Sequence, residues 1–208
     1  MTRRPYRSTV RERSAATTRN SILDAAEALF AEHGYARVSI TRVAEVADVA
    51  QGTVYAAFGS KPSLVVALME RAAGDETIIR TTSAVRSATS GPEIVALTVA
   101  GAGEIVRRHA RTMAVLYDNA SADPHITAAV GRAENLQRER FDLVSARLAE
   151  LGLLRDGMTR ADATRVLEYY TGPGSWRRLR SLEWSWRHAE EWLADQVSYA
   201  VLGVSGTA

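Results

Sequence analysis

The residues best suited to chemistry lie on a short predicted helix, Gln51–Phe58, in the N-terminal part of the chain. Helical spacing places Val54 inward and leaves Gln51, Thr53 and Tyr55 on the outer face. Amide, hydroxyl and phenol groups on one exposed helix face make hydrogen bonds to base edges and to phosphate oxygens. The chemistry indicated is therefore the recognition of a nucleic acid by a helix.

A second short helix and a tight turn are predicted to hold this helix in place. Ser39 can cap a helix whose apolar residues recur at helical spacing, at Ile40, Val43, Ala44 and Ala47. Asp48 stands at the turn, because Asp tolerates the left-handed backbone conformation better than most residues, and Val49 is expected to be buried there. Two short helices joined in this way form a helix-turn-helix, whose second helix enters a major groove.

Residues 18–64 resemble the DNA-binding domain of TetR-family (tetracycline-repressor-like) transcriptional regulators. The matching runs are Ile22-Leu23-x-Ala25-Ala26-x-x-Leu29-Phe30-x-x-x-Gly34-Tyr35, then Val43-Ala44-x-x-Ala47-x-Val49, then Gly52-Thr53-Val54-Tyr55-x-x-Phe58-x-Ser60-Lys61-x-x-Leu64. Three residues depart from the pattern: Asp48 replaces a common Gly, Ala50 a capping Ser or Thr, and Ala57 an aromatic residue or His. The missing cap costs about 1 kcal/mol, which weakens one helix end and leaves the fold intact.

The resemblance implies DNA contact for exposed residues of both helices and of the next helix start: Thr41, Arg42, Gln51, Gly52, Thr53, Tyr55 and Lys61. Gln51 and Thr53 are expected to face bases, and Gly52 lets the backbone approach closely. Tyr55 and Lys61 are expected to contact phosphates. Arg37, by contrast, is expected to be an ordinary surface charge.

The composition excludes several functional classes. The 208 residues include no cysteine, which rules out disulfides, thiolate metal sites and cysteine nucleophiles. The sequence Gly101-Ala102-Gly103 lacks the third glycine and the preceding strand of a dinucleotide loop. No phosphate-binding loop, nucleophile elbow or paired-histidine helix is present. We therefore expect no catalytic residues, no metal and no cofactor.

Charge is distributed unevenly along the chain. The net charge is +2, and residues 1–61 hold nine Lys or Arg against six Asp or Glu. The arginines cluster at the start of the chain, at Arg3, Arg4, Arg7, Arg11, Arg13 and Arg19. A basic end beside a helix-turn-helix suits phosphate contact, and the alternative is a solvated, disordered tail over Met1–Ser14. The longest apolar run, Ile94–Gly103, is too short to span a bilayer, so we expect a soluble, cytoplasmic protein with no membrane partner.

Helical periodicity continues to the C-terminus, without a convincing strand pattern or internal repeat. We expect an all-α chain with an N-terminal three-helix domain and a larger helical C-terminal domain. Residues 1–61 are assigned to an N-terminal arm and DNA-binding domain, and residues 62–208 to a linker helix and a regulatory and dimerisation domain. The first helix is expected to begin at Thr17 or Thr18 and to end at Gly34.

Mixed aromatic and polar residues suggest a small-molecule pocket in the C-terminal domain: His109, Met113, Tyr117, Asn119, Tyr169, Tyr170 and Trp176. A helix break at Gly172-Pro173-Gly174 favours such a pocket, because a broken helix opens space. Each of these residues, taken alone, is more often a core or rim residue than part of a pocket.

All four tryptophans lie between residues 176 and 192, on two adjacent amphipathic helices. The resemblance implies that the last two long helices of two chains form a four-helix bundle. The expected interface residues are Leu179, Leu182, Trp186, Ala189, Leu193, Val197 and Ala200. The alternative is that the tryptophans fill the domain's own core.

The sequence thus favours a homodimeric transcriptional regulator that binds a pseudo-palindromic double-stranded DNA operator. We expect a repressor that is released by a small-molecule effector of unidentified structure. Two alternatives stay open. One is a helical ligand-binding or scaffold dimer with weakened DNA binding, and the other is a regulator that responds to no ligand.

Overall fold

The computed structural model describes residues 6–121 and 123–203, with side chains from residue 13 onward. All regular structure in these residues is helical, which confirms the predicted all-α class. A 3-10 turn over Tyr35–Arg37 lies between the first two of the following helices: α1 (Tyr6–His33), α2 (Ile40–Val46), α3 (Gln51–Phe58), α4 (Lys61–Ala73), α5 (Glu76–Ser87), α6 (Gly91–Arg108), α7 (Ala110–Asn119), α8 (Pro124–Glu150), α9 (Arg160–Thr171), α10 (Pro173–Ser181) and α11 (Trp186–Leu202). Within the described residues, no helix has both the length and the apolarity to cross a membrane.

Helix α1 begins at Tyr6, well before the start predicted at Thr17 or Thr18. The prediction was wrong because the Thr17 hydroxyl does not cap a helix start. It donates instead to the carbonyl of Arg13, one turn earlier in the same helix. The predicted end is confirmed at Gly34, which has a φ of 78° that favours glycine. Residues 1–5, which include Arg3 and Arg4, lie outside the described residues.

The described residues form two compact units. Residues 6–71 and 111–130 form the first, and residues 72–110 and 131–203 form the second. Compactness therefore groups most of α4, and also α7, with the helix-turn-helix. The functional division between residues 61 and 62 stays a prediction.

An ionic and hydrogen-bonded cluster joins three helices of the first unit. The two terminal nitrogens of Arg71 on α4 lie 2.6 Å from Asp24 and 2.7 Å from Glu27 on α1. The Thr112 hydroxyl on α7 donates to the second carboxylate oxygen of Glu27. The cluster lies at the edge of a core whose fully buried members include Ile22, Phe30, Val43, Val54 and Leu64.

Trp176 is the largest fully buried side chain of the second unit. Its ring lies against Gly103 of α6, where a Cβ atom would stand 2.6 Å from the ring. Its indole nitrogen donates to the carbonyl of Thr171, 3.2 Å away, across the helix break that the sequence predicted at Gly172. The break therefore accommodates a core tryptophan in this unit, and Gly103 provides the space that the ring needs.

Replacing Gly103 by Ala should destabilise the protein by about 1–3 kcal/mol, because the added methyl group overlaps a rigid aromatic ring. The comparison variant is Gly131→Ala in α8, where a Cβ atom meets nothing within 4 Å. That variant should gain about 0.5–1 kcal/mol from helix propensity. Urea unfolding followed by circular dichroism measures both, and equal shifts of the two midpoints would contradict the proposed fit of Trp176.

Asp75 is a nearly buried carboxylate at the start of α5, with a side chain that is 6% exposed. Its Oδ1 accepts from the backbone nitrogen of Thr77 at 2.8 Å and so caps the helix. Arg108 and His109 at the end of α6 also contact it, each at 2.8 Å. Burial by itself raises the pKa of the Asp75 carboxyl, but the hydrogen bonds from Thr77, His109 and Arg108 outweigh burial and hold the pKa well below its usual range.

Replacing Asp75 by Asn should lower the free energy of unfolding by about 1–3 kcal/mol at pH 7, because charge-assisted hydrogen bonds are lost. A folded-state pKa below the unfolded value stabilises the fold above about pH 4. This contribution is lost as the pH falls toward the folded pKa, so the difference from wild type should shrink in acid. Urea unfolding at several pH values measures it. Glu76→Gln, at the exposed next position, is the control and should show no such trend.

Candidate nucleic-acid interface

The turn between α2 and α3 has the predicted backbone geometry, but Val49, which was expected to be buried, is only half-buried. The Ser39 hydroxyl accepts a hydrogen bond from the backbone nitrogen of Arg42 at 3.1 Å and so caps α2. Asp48 has a φ of 53°, in the left-handed region that the sequence indicated for this position. The next backbone nitrogen, that of Val49, returns to the carbonyl of Ala44 at 3.0 Å and closes the turn.

Helix α3 presents one buried and one exposed face, as predicted. Val54 and Phe58 are 1% and 8% exposed. Gln51, Thr53 and Tyr55 are exposed, the last of them by 49%. Gly52 shares the exposed face, and among the described residues a Cβ atom there would meet nothing within 4 Å.

The start of α3 has no capping side chain, because Ala50 occupies the cap position. The other end has a partner that the sequence did not reveal. The guanidinium of Arg19 on α1 donates to the carbonyl of Ala57 at 2.8 Å. Its central carbon lies 4.1 Å from the centre of the Phe58 ring. In the sequence, Arg19 was only one of six arginines near the N-terminus, since a contact over 38 residues leaves no local pattern.

Lys61, predicted to contact a phosphate, is held by the 3-10 turn before α2. Its ammonium lies 4.3 Å from the centre of the Tyr35 ring and donates to the carbonyl of Ala36 at 3.2 Å. Burial lowers the pKa of the Lys61 ammonium. The pKa of the Tyr35 phenol is raised, first by burial and then by the charge of Asp123. Lys61 is thus positioned by the fold at the start of α4.

Of the two candidate contacts on α2, one is already paired. Arg42 forms an ion pair with Glu45 at 2.9 Å, one turn further along the helix. Both side chains are more than half exposed, so the pair adds little stability and is open to exchange for a stronger anion. Thr41 is exposed beside it.

The seven predicted pocket residues are distributed over both units. Trp176 is core, and Tyr169 is 74% exposed. His109 contacts Asp75 at 2.8 Å in the second unit. Met113, Tyr117 and Asn119 lie on α7 in the first unit.

Only one of these seven residues, Asn119, lines a cavity of about 340 Å³ that lies within the first unit. The walls of this cavity come from the end of α1, the 3-10 turn and α7: Phe30, Ala31, His33, Gly34, Tyr35, Ala36, Arg37, Ala114, Val115, Asp118 and Asn119.

For the predicted dimer interface the structure gives a correction. Ala189, Leu193 and Val197 are fully buried within one chain, because this side of α11 packs against α6 and α9. Leu179 is likewise buried, at 8% exposure. These four residues have almost no surface to offer a second chain. Of the other predicted interface residues, Trp186 and Ala200 are half-buried and Leu182 is 48% exposed.

A different set of aromatic residues, two of them exposed and three half-buried, forms a face on the second unit. We define this aromatic face as Tyr169, Tyr170, Trp184, Trp192 and Tyr199. Ring contacts at 5.2–6.5 Å link the first four, and Tyr199, 70% exposed, lies two turns beyond Trp192 on α11. The helical periodicity of the sequence could have distinguished this face from the buried side of α11. It could not have shown whether a buried side packs against helices of the same chain or of a second chain.

Comparison with known proteins agrees with this geometry. Residues 22–68 match the family model "Bacterial regulatory proteins, tetR family", which spans the helix-turn-helix and most of α4. A comparison with curated proteins gives no match.

Several solved structures share the fold over nearly the whole chain. SmeT, the repressor of the Stenotrophomonas maltophilia multidrug efflux pump SmeDEF, was solved with triclosan. In that complex it is 22% identical with a TM-score of 0.73, over 92% of this chain and 94% of SmeT. NalD, the secondary repressor of the MexAB-OprM efflux pump in Pseudomonas aeruginosa, is 21% identical with a TM-score of 0.74, over 91% and 98%. FadR from Bacillus subtilis, in complex with stearoyl-CoA, is 16% identical with a TM-score of 0.72, over 88% and 98%.

The family model covers the residues that form the capped α2, the left-handed turn and the exposed face of α3. The rest of the chain has the all-helical fold of the structures just named. Residues 22–68 therefore match the DNA-binding part of the TetR family of bacterial regulatory proteins, and the chain shares the fold of SmeT and NalD over nearly its whole length.

Proposed function

We propose that the protein is a transcriptional repressor that binds a pseudo-palindromic DNA operator as a homodimer and leaves it when a small molecule binds. The observation that carries the proposal is the exposed polar face of α3, backed by the buried Val54 and Phe58. The roles printed for SmeT and NalD as efflux-pump repressors support the choice of repression. Such a protein acts in the cytoplasm, on chromosomal DNA.

The proposed ligand response rests on the relatives and on an unassigned cavity. SmeT was solved with triclosan, an apolar molecule, and FadR with stearoyl-CoA, which carries a long apolar acyl chain. The cavity of about 340 Å³ in the first unit is within the size range of small-molecule sites. Triclosan is therefore a reasonable first probe. It should raise the melting temperature of the protein and release it from DNA, and a null result with a broader panel of apolar compounds would favour a ligand-independent regulator.

A second candidate function is a helical ligand-binding or scaffold dimer with weakened DNA binding. Two observations favour it: Ala50 leaves the start of α3 without a cap, and the Lys61 ammonium is already bound by Tyr35 and Ala36. Selection of duplexes from a randomised library by the wild-type protein separates the two functions. A repressor enriches one sequence strongly, whereas a scaffold enriches none.

Gln51 and Lys61 should affect DNA binding in two different ways. Gln51→Ala should relax the preference at one position per half-site by about 1–3 kcal/mol, because a base contact is lost. Lys61→Ala should weaken binding to all sequences and flatten the salt dependence by roughly 2 units in a dimer, because two phosphate contacts are lost. Fluorescence anisotropy with the selected duplex and with a scrambled one, at several salt concentrations, measures both.

Arg37→Ala is the matched control, since Arg37 is an exposed cation in the same region whose Nε donates to the carbonyl of His33. It should leave the salt slope closer to wild type than Lys61→Ala does. If Gln51→Ala weakens all sequences equally, Gln51 does not read a base. If Lys61→Ala leaves the slope unchanged, Lys61 does not contact a phosphate.

The homodimer is proposed to form through the aromatic face. Exposed aromatic side chains are enriched in protein interfaces, and Tyr169 and Tyr199 are each at least 70% exposed. A partner that covers them removes about 25 cal/mol of unfavourable hydration per Å² of apolar surface. A dimer with twofold symmetry carries two copies of α3, one for each half-site of a palindrome.

Tyr199→Glu should therefore give monomers at micromolar concentration and a large loss of operator affinity, with little change in the melting temperature of the monomer. Analytical ultracentrifugation and anisotropy measure the two effects. The matched control is Ile79→Glu, an equally exposed apolar residue on α5, which should stay dimeric. Leu193→Glu should instead unfold the second unit, because Leu193 is fully buried. A wild-type protein that sediments as a monomer at these concentrations excludes the aromatic-face dimer.

A further inference from the structure

Helix α3 is too short to hold its own position. It has eight residues, and isolated helices of this length are not stable in water. Its start has no capping side chain at Ala50, and its buried face consists of only two residues, Val54 and Phe58. The orientation of its exposed face therefore depends on its neighbours: α2 and the turn hold its start, and contacts from another helix hold its C-terminal end.

Arg19 is the side chain from another element that fixes this end. The last carbonyls of a helix lack partners within the helix. At the end of α3, the carbonyl of Tyr55 accepts from the nitrogen of Gly59 and that of Phe58 from the nitrogen of Ser60. The carbonyl of Ala57 accepts from Nη1 of Arg19 at 2.8 Å. The guanidinium also places a positive charge at the negative end of the helix dipole.

The same guanidinium covers the ring of Phe58. Its central carbon lies 4.1 Å from the ring centre, the distance of a cation–π contact. Phe58 is one of the two buried anchors of α3, so Arg19 holds the helix both by its backbone and by an anchor side chain. A lysine at this position provides the charge but not the planar group that donates and stacks at once.

We propose that Arg19 is a positioning residue for sequence recognition: by fixing the C-terminal end of α3 to α1, it sets the register in which Gln51 and Thr53 meet their bases. The proposal rests on the DNA-binding function proposed above. Base contacts are short and directional, whereas attraction to phosphates is long-ranged. A helix that frays or tilts loses the first kind of contact before the second. Arg19 should therefore control the discrimination between sequences more than the affinity for DNA in general.

The test compares Arg19→Met, which keeps an unbranched apolar stem without the guanidinium, with Arg19→Lys and with wild type. Arg13→Met is the matched control, because it removes a charge from an exposed position on the same helix. The ratio of affinities for the wild-type-selected duplex and a scrambled duplex is measured well below each melting temperature. The ratio should fall roughly tenfold in Arg19→Met and less in Arg19→Lys, from the loss of one charge-assisted hydrogen bond per protomer. Arg13→Met should leave the ratio unchanged.

A second measurement needs no DNA. Hydrogen exchange followed by mass spectrometry should be faster in Arg19→Met over residues 51–59 and unchanged over residues 61–73 of α4. Equal acceleration in both segments would reduce Arg19 to a contributor to general stability and overturn the proposal. A discrimination ratio within twofold of wild type would overturn it as well. If the wild-type protein selects no duplex, the proposed function fails, and the exchange experiment alone decides whether Arg19 fixes α3.

Discussion

The exposed face of α3 depends on two buried side chains, Val54 and Phe58. An eight-residue helix gains too little from its own hydrogen bonds to persist alone, so its surroundings must supply the stability. The capped α2, the left-handed Asp48 and the contacts at the two ends of α3 all serve this constraint. The exposed residues of α3 can therefore contact DNA in a fixed geometry only while its buried residues stay packed.

Features set by neighbouring residues could be predicted from the sequence. Ser39 caps α2, Asp48 takes the left-handed conformation and Gly172 separates two helices, because each property depends on a few adjacent residues. The contacts of Arg19 and Lys61 could not be predicted in this way, because Arg19 contacts a residue 38 positions away and Lys61 one 25 positions away. A basic side chain near a DNA-binding motif suggests phosphate contact, and only the fold reveals that a carbonyl and a ring already engage it.

The same distinction explains the interface residues. Apolar spacing on α11 correctly indicated a buried stripe, but Leu193 and Val197 are buried by the chain's own α6 and α9. The apolar pattern predicts that a side chain is buried, but it does not predict whether the same chain or a second chain buries it. Trp176 shows the same limit for the predicted pocket. The sequence made it a candidate pocket residue, but its ring fills the space that Gly103 leaves on α6. Exposure, in contrast, marks Tyr169 and Tyr199 as surface that a partner is free to cover.

Arg19 and Lys61 have one property in common that bears on recognition. Each donates to a backbone carbonyl and lies over an aromatic ring, so each long side chain is already ordered without DNA. Ordering a long, flexible side chain on binding costs about 0.5–1.5 kcal/mol, and a side chain that is ordered beforehand avoids much of this cost. A phosphate that approaches Lys61 must instead compete with the carbonyl of Ala36 and the ring of Tyr35. The arrangement therefore exchanges some electrostatic affinity for a fixed geometry, which favours a protein that must distinguish one sequence from many similar ones.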